Sequence, residues 1–309
     1  MKVLLTGRNG QVGWRLERAL PAIAQVIALD RDALDLTQVA AIRRVIRETR
    51  PDVIVNAAGY THVDHVESDA HIAHAVNGVA PVVMAEEALA SGALFIHYSS
   101  GYVFDGRKSE PYTETDVPAP INEYGRSKLF AERGITEIGG AHLILRASWV
   151  YDTRARNFVL TMLRLAATHT ELNVVDDQMG SPTSASAIAA ATCAVVRDLE
   201  RARRNPGIYN LSAPDSVSRY DFTRYMLDTS ASMCPTFAAP RLNRIKTADF
   251  PLPAARPLNC MLDNSKLMNT FDIPLTGWAR QLRECLAELY PATLRPDDNC
   301  ALAPRVSLV

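Results

Sequence analysis

Three side chains in this sequence have the types and spacing for carbonyl chemistry. Tyr124 and Lys128, in PINEYGRSKLFAE, stand four residues apart, so on a helix they share one face. A neighbouring ammonium favours a phenolate and draws the tyrosine pKa down from its ordinary value of about 10. Such a tyrosine can pass a proton to a carbonyl oxygen during hydride transfer. The third residue lies upstream in Tyr98 to Gly106, YSSGYVFDG, where two serines end an apolar run and Gly101 separates Ser100 from Tyr102. The stretch offers Ser99, Ser100 and Tyr102 as hydroxyls, and its own sequence leaves open which of them meets the reacting oxygen.

A second group of residues suits a dinucleotide. TGRNGQVG, Thr6 to Gly13, spaces Gly7, Gly10 and Gly13 as GxxGxxG between an apolar run and a helical pattern. A pyrophosphate needs backbone N–H groups and a helix N-terminus brought close, and a Cβ there would block its approach. Gly7, Asn9, Gly10, Gln11 and Val12 are therefore expected to line the cofactor. Asp30 ends the next strand and suits a ribose diol, whereas Arg31 suits a 2′-phosphate. NADH against NADPH stays open on that pair.

These residues need a scaffold, and the rest of the first half supplies it. KVLLT (2–6), QVIAL (25–29), DVIVN (52–56), Leu94 to Tyr98 and LILRA (143–147) are nearly continuous apolar runs, the mark of strands buried on both faces. Helical patterns separate them: 11–20, a helix capped by Thr37 and ending before Pro51, a long stretch over 70–90, and 123–138. Repeated β-α-β predicts an α/β fold, a Rossmann-type doubly wound parallel sheet with a smaller C-terminal α/β substrate domain. The expected division is 1–150 for cofactor, with some later segments returning to it, 151–290 mainly for substrate, and 291–309 as an extension. In the second half, 157–167, 185–199, 219–227 and 278–289 read as helices.

Composition narrows the function class. The 309 residues are 48% hydrophobic and 22% charged, with Lys plus Arg 33 against Asp plus Glu 34. A net charge of -1 gives no electrostatic case for nucleic acid or an acidic membrane as partner. No run approaches the ~18 apolar residues of a membrane span, and the start lacks a signal peptide's pattern. Five scattered cysteines without a CxxC point away from a disulfide framework and toward a cytoplasmic location. His62, His65, His71 and His74, with Asp64, Glu67 and Asp69, are crowded but do not have HExxH spacing; a polar loop is expected there, and no metal.

The ordered motifs resemble a known family. GxxGxxG, Asn56-Ala57-Ala58-Gly59, the serine strand end and YxxxK resemble the extended short-chain dehydrogenase/reductases. TGRNGQVGW, RPDVIVNAA, THVDHVES, NEYGRSKL, RASWVYDT, NFVLTMLRLA, VDDQMGSPT and AARPLN, over about residues 2–290, are similar to the dTDP-4-dehydrorhamnose reductase family. The resemblance implies reduction by NADPH or NADH of the C4 keto group of dTDP-4-dehydro-β-L-rhamnose to dTDP-L-rhamnose. It assigns Ser100, Tyr124 and Lys128 as catalytic, and Asp35, Leu36, Ala57, Ala58 and Gly59 to the cofactor. Val63, Ser100, Gly101 and Trp149 fall beside the sugar, and Asn157, Gln178 and Arg256 beside the diphosphate. Two departures stand out. Gly101 replaces an aspartate usual in the family, and Arg15 replaces a glutamate that in some members holds magnesium at a dimer contact. That metal and that dimer are not carried over, and a homodimer of another kind is left open. The motifs also admit a reductase forming dTDP-6-deoxy-L-talose, or an NADP-binding regulatory subunit like the β subunit of methionine adenosyltransferase.

Overall fold

A computed structural model describes residues 1–290; the proposed extension 291–309 lies outside the described residues. Five strands of the first half form a parallel sheet: β1 (Lys2–Thr6), β2 (Gln25–Leu29), β3 (Val53–Asn56), β4 (Leu94–Ser100) and β5 (His142–Ala147). A sixth strand, Gly207–Asn210, pairs parallel with β5 at the edge. From that edge the order is Gly207–Asn210, β5, β4, β3, β1, β2. The chain leaves β1 toward β2 and then returns to β3 on the other side. That reversal opens a crevice at the carboxyl ends of β1 and β3, where such sheets bind ligands.

The apolar runs are buried on both faces, as their continuity predicts. Val3, Leu5, Val55 and Ile96 join one core with Leu16 of helix α1 (Gln11–Ala19) and Ile188 of the helix Ala185–Arg197. Leu4, Ile54, Phe95 and Ile144 join the opposite core with Ile42 and Ile46 of helix α2 (Val39–Thr49) and Ile135 of the helix Glu123–Ile138. Alternate residues of one strand feed different cores, because successive side chains leave opposite faces.

A third core belongs to the second half. It brings Leu163 of the helix Phe158–Ala166, Phe222 of the helix Arg219–Met233 and Leu282 of the helix Trp278–Leu289 together with Leu172 and Val174 of the strand Glu171–Val175. That strand pairs parallel with Arg241–Ile245, and Met179–Gly180 lies between Val217–Ser218 and Asn259–Cys260.

Two local expectations need correction. Gln38, not Thr37, is the N-cap of α2; Thr37 instead donates from both its N–H and its hydroxyl to Asp35 Oδ1, at 2.9 Å each. A short turn closed by the aspartate takes the cap residue away. The stretch 70–90 is not one helix either. Ala70–Ala73 passes through a wide π turn, His74–Val79, into Ala80–Ser91. Its buried Asn77 accepts the Tyr60 N–H at 2.8 Å and donates to Tyr60 O at 3.0 Å. The wider turn lets a buried amide serve the loop after β3, which a regular helical face would not allow.

Candidate active site

The cleft at the sheet's reversal has a volume of about 390 Å³. All the residues expected at the cofactor line it, from Gly7, Asn9, Gly10, Gln11 and Val12 through Asp30, Arg31, Asp35 and Leu36 to Ala57, Ala58 and Gly59, with Tyr124 and Lys128 closing the far side. Its glycine turn has no room for a side chain. Gly7 has a φ of +77°, and a Cβ there would come 2.5 Å from Ala58 N. A Cβ on Gly13 would meet Gly7 O, so this glycine lets α1 start against the turn. Gly10 caps α1 in an extended conformation without a side-chain bond. A backbone cradle at a helix N-terminus fits the pyrophosphate of a nicotinamide dinucleotide.

Across the cleft, the helix Glu123–Ile138 carries Tyr124 and Lys128, the pair expected to do acid–base work. Asn122 caps it, accepting the Gly125 N–H at 2.8 Å, and donates to Ala255 O at 2.8 Å. Glu67 Oε1 accepts the Glu123 N–H at 2.9 Å. A Cβ on Gly125 would meet Tyr102 O, so the residue after Tyr124 is small because the helix lies directly on the serine turn. The Tyr124 ring meets that of Tyr102 edge-on with centroids 5.9 Å apart.

Lys128 is 4% exposed and donates to Tyr98 O at 3.1 Å; its ammonium lies 6.0 Å from the Tyr124 ring centroid. Burial pulls its pKa down to about 8, against a smaller opposing effect of Glu132. The expected lowering of the tyrosine pKa is reversed. Burial pushes Tyr124 up to about 12, and the neighbouring Ser100 hydroxyl only moderates the rise. Desolvation of the phenolate is the dominant effect.

Behind the pair lies a buried ionic network absent from the expectations. Glu132, one turn beyond Lys128, accepts the Ser99 hydroxyl at 2.5 Å and both Arg146 Nε, at 2.9 Å, and Arg146 Nη2, at 2.6 Å. Glu132 and Arg146 are each 1% exposed. Its sequence signal was a glutamate four residues beyond Lys128, in register with the Tyr–Lys spacing.

The residues expected beside the sugar nucleotide lie outside the lining of that cleft. Trp149 has a φ of +44°, an uncommon conformation for an aromatic residue, and its indole fills the space over Gly180. A Cβ on Gly180 would approach Trp149 Cε2 to 2.5 Å, which explains the glycine of DQMGSPT. Gly101 has no positive φ, and a Cβ there would lie 3.6 Å from Cys260 O, an ordinary contact. Nothing in the backbone therefore demands glycine. Val63 opens the short helix Val63–Val66, and the next residue, Asp64, pairs with Arg256 at 2.7 Å. Gln178 is 7% exposed and donates to Thr247 Oγ1 at 3.1 Å. Asn157 is committed locally: Oδ1 caps the helix Phe158–Ala166 at Leu160 N, and Nδ2 donates to Asp152 O at 2.8 Å.

The carboxylates crowded near the histidines have other tasks. Asp64 holds Arg256, Glu67 holds the catalytic helix, and Asp69 accepts the Tyr60 hydroxyl at 2.9 Å. Arg15 bonds Asp152 Oδ1 at 2.9 Å through Nε and Glu288 Oε2 at 2.6 Å through Nη2, fastening α1 to the last described helix. Cys193, Cys260 and Cys285 are buried free thiols. Among the described residues, no helix is long and apolar enough to cross a membrane.

A doubly wound sheet with a glycine cradle at its reversal and a Ser–Tyr–Lys set across the cleft defines a nicotinamide-dependent oxidoreductase of the extended short-chain reductase class. The profile of the RmlD substrate binding domain matches residues 1–290, and the chain belongs to this family, that of the dTDP-4-dehydrorhamnose reductases. It is 41% identical over 295 residues to the dTDP-4-dehydrorhamnose reductase of Burkholderia thailandensis, covering 94% of this chain and 99% of the relative. A crystal structure of a dTDP-4-dehydrorhamnose reductase from Clostridium acetobutylicum superposes with a TM-score of 0.86 at 33% identity, covering 94% of this chain and 99% of that one. The Bacillus anthracis enzyme, solved in complex with NADP, gives 0.84 at 30% identity, covering 93% and 99%.

Proposed function

We propose that this enzyme reduces the C4 keto group of dTDP-4-dehydro-β-L-rhamnose with NAD(P)H and forms dTDP-L-rhamnose. The observation that carries the reading is the meeting, in one cleft, of the glycine cradle with Tyr124 and with Lys128, buried one helical turn away.

The reduced nicotinamide supplies the hydride. The chain's own residues do the rest. Ser100 hydrogen-bonds the C4 oxygen and fixes the carbonyl plane. Tyr124, held protonated by burial, gives its hydroxyl proton to that oxygen as negative charge builds there, and solvent restores it afterwards. Lys128, cationic below about pH 8, stabilises the phenolate left behind and holds the nicotinamide ribose.

Residues 1–150, joined by the returning strand Gly207–Asn210, serve the cofactor, and 151–290 mainly the sugar nucleotide. Val63, Gly101 and Trp149 border the deoxysugar. Gln178 and Arg256 hold the diphosphate, while Asn157 shapes the loop beside them. Asp30 and Arg31 together admit both nicotinamides. Cytoplasmic residence and a homodimer are parts of the proposal open to fractionation and sedimentation.

The test is turnover of the dTDP-4-keto-6-deoxy-L-sugar with NADPH and NADH, followed by NMR identification of the product. Rhamnose nucleotide is expected. A 6-deoxytalose product would change the stereochemical assignment. Nucleotide binding without oxidation of either cofactor would favour a regulatory role.

A further inference from the structure

The substrate wall contains a cation to which none of the steps above gives a role. Arg219 is the first residue of the helix Arg219–Met233, and its backbone N–H donates to Gln178 O at 2.9 Å. Its guanidinium lies 3.6 Å from the Trp149 ring centroid and 4.4 Å from that of Phe158. Stacking of this kind uses the guanidinium faces and leaves its edge N–H groups for other partners.

Among the described residues no carboxylate pairs with it. The nearby acids are engaged elsewhere: Asp221 with Arg224 and Arg244, Asp176 with Lys246 and Arg244, and Asp64 with Arg256. Burial depresses the Arg219 pKa, Arg256 repels it, and Tyr102 and Cys260 are the other titratable groups whose charges it feels. Arg219 is part-buried, and a part-buried guanidinium without a counterion favours a ligand that brings one. Asp64 pairs with Arg256 and not with Arg219, and Gly101 adds no acid, so this wall has an excess of positive charge.

We propose that Arg219 reads the diphosphate of the sugar nucleotide, its edge N–H groups working with Arg256 while its face holds the Trp149 indole. This rests on the cleft being the site of a dTDP-sugar. The arginine pair then supplies charge for the diphosphate.

The test is calorimetric titration of the full chain with dTDP, dTMP, thymidine and NADPH, for wild type, Arg219→Gln and Arg219→Lys. Arg219→Gln should weaken dTDP about 10- to 100-fold, as loss of a desolvated charge contact does, and dTMP less. Thymidine and NADPH should be unaffected. Arg219→Lys keeps the charge without the fork and should fall between; it also gives the answer if the glutamine variant does not fold. A change in dTDP affinity below about twofold, or an equal loss for thymidine, overturns the proposal alone. A wild type that binds none of the thymidine ligands overturns the underlying reading and the proposal with it.

Discussion

Ser99 Oγ donates to Glu132 Oε1 at 2.5 Å, tying the end of the serine strand to the helix that carries Tyr124 and Lys128. The same carboxylate is held by Arg146 from β5, so three neighbouring elements meet at one buried acid. Removing it in Glu132→Ala strands the Arg146 charge and should cost about 3–5 kcal/mol, read as a lower urea midpoint. A loss under about 1 kcal/mol would mean that water reaches Arg146 and that the network does not hold the site.

Tyr124→Phe removes the proton donor and almost no volume. Turnover should fall by roughly two to four powers of ten, with NADPH affinity unchanged by titration. A near-normal rate would remove Tyr124 from the chemistry.

Lys128 should control the alkaline limb of activity. Its pKa of about 8 means that the ammonium is lost above that pH, whereas Tyr124, at about 12, keeps its proton. The pH profile of kcat should therefore bend downward near pH 8. Stability should move the other way. The folded value lies below the ordinary 10.5, so between about pH 8 and 10.5 the unfolded chain binds more protons at this site. This site's contribution to stability rises with pH through that window, and below it the cost of burying the charge is fully present. Rate and melting profiles that fall together above pH 8 would contradict the assignment.

Gly180→Ala places a methyl group where the Trp149 indole lies, with 2.5 Å between Cβ and Cε2. The KM for the sugar nucleotide should rise about tenfold or more, with the KM for NADPH unchanged. Equal loss for both substrates would show that the wall is structural and does not read the sugar.

Arg31→Ala should lower kcat/KM for NADPH and leave that for NADH within about twofold, because only the former carries a 2′-phosphate. Parallel changes for the two cofactors would rule out Arg31 as the residue that admits NADPH.

The cradle and the Tyr–Lys pair were legible because both are local: Gly7 to Gly13 and Tyr124 to Lys128 each lie within one turn-and-helix unit. Buried strands such as Lys2–Thr6 and Gln25–Leu29 carried their own apolar signature. Long-range packing was not legible. Gly180 is set by an indole 31 residues earlier in sequence, Asn77 by a loop across a π turn, and Arg219 by rings on two other segments. The Tyr124 pKa failed for the same reason: i,i+4 spacing gives proximity to Lys128, but burial is a property of the whole fold.

The strand Gly207–Asn210 makes the two halves of the chain interdependent during folding. Its backbone completes the edge of β5, so a fragment ending near residue 150 would leave that strand's N–H and C=O groups unpaired and able to template intermolecular pairing. The sheet cannot close as the nascent chain emerges; it must wait for a segment some 60 residues further on, a long loop closure of the kind that slows folding. The first half thus acquires its final sheet edge only after part of the second half has been synthesised.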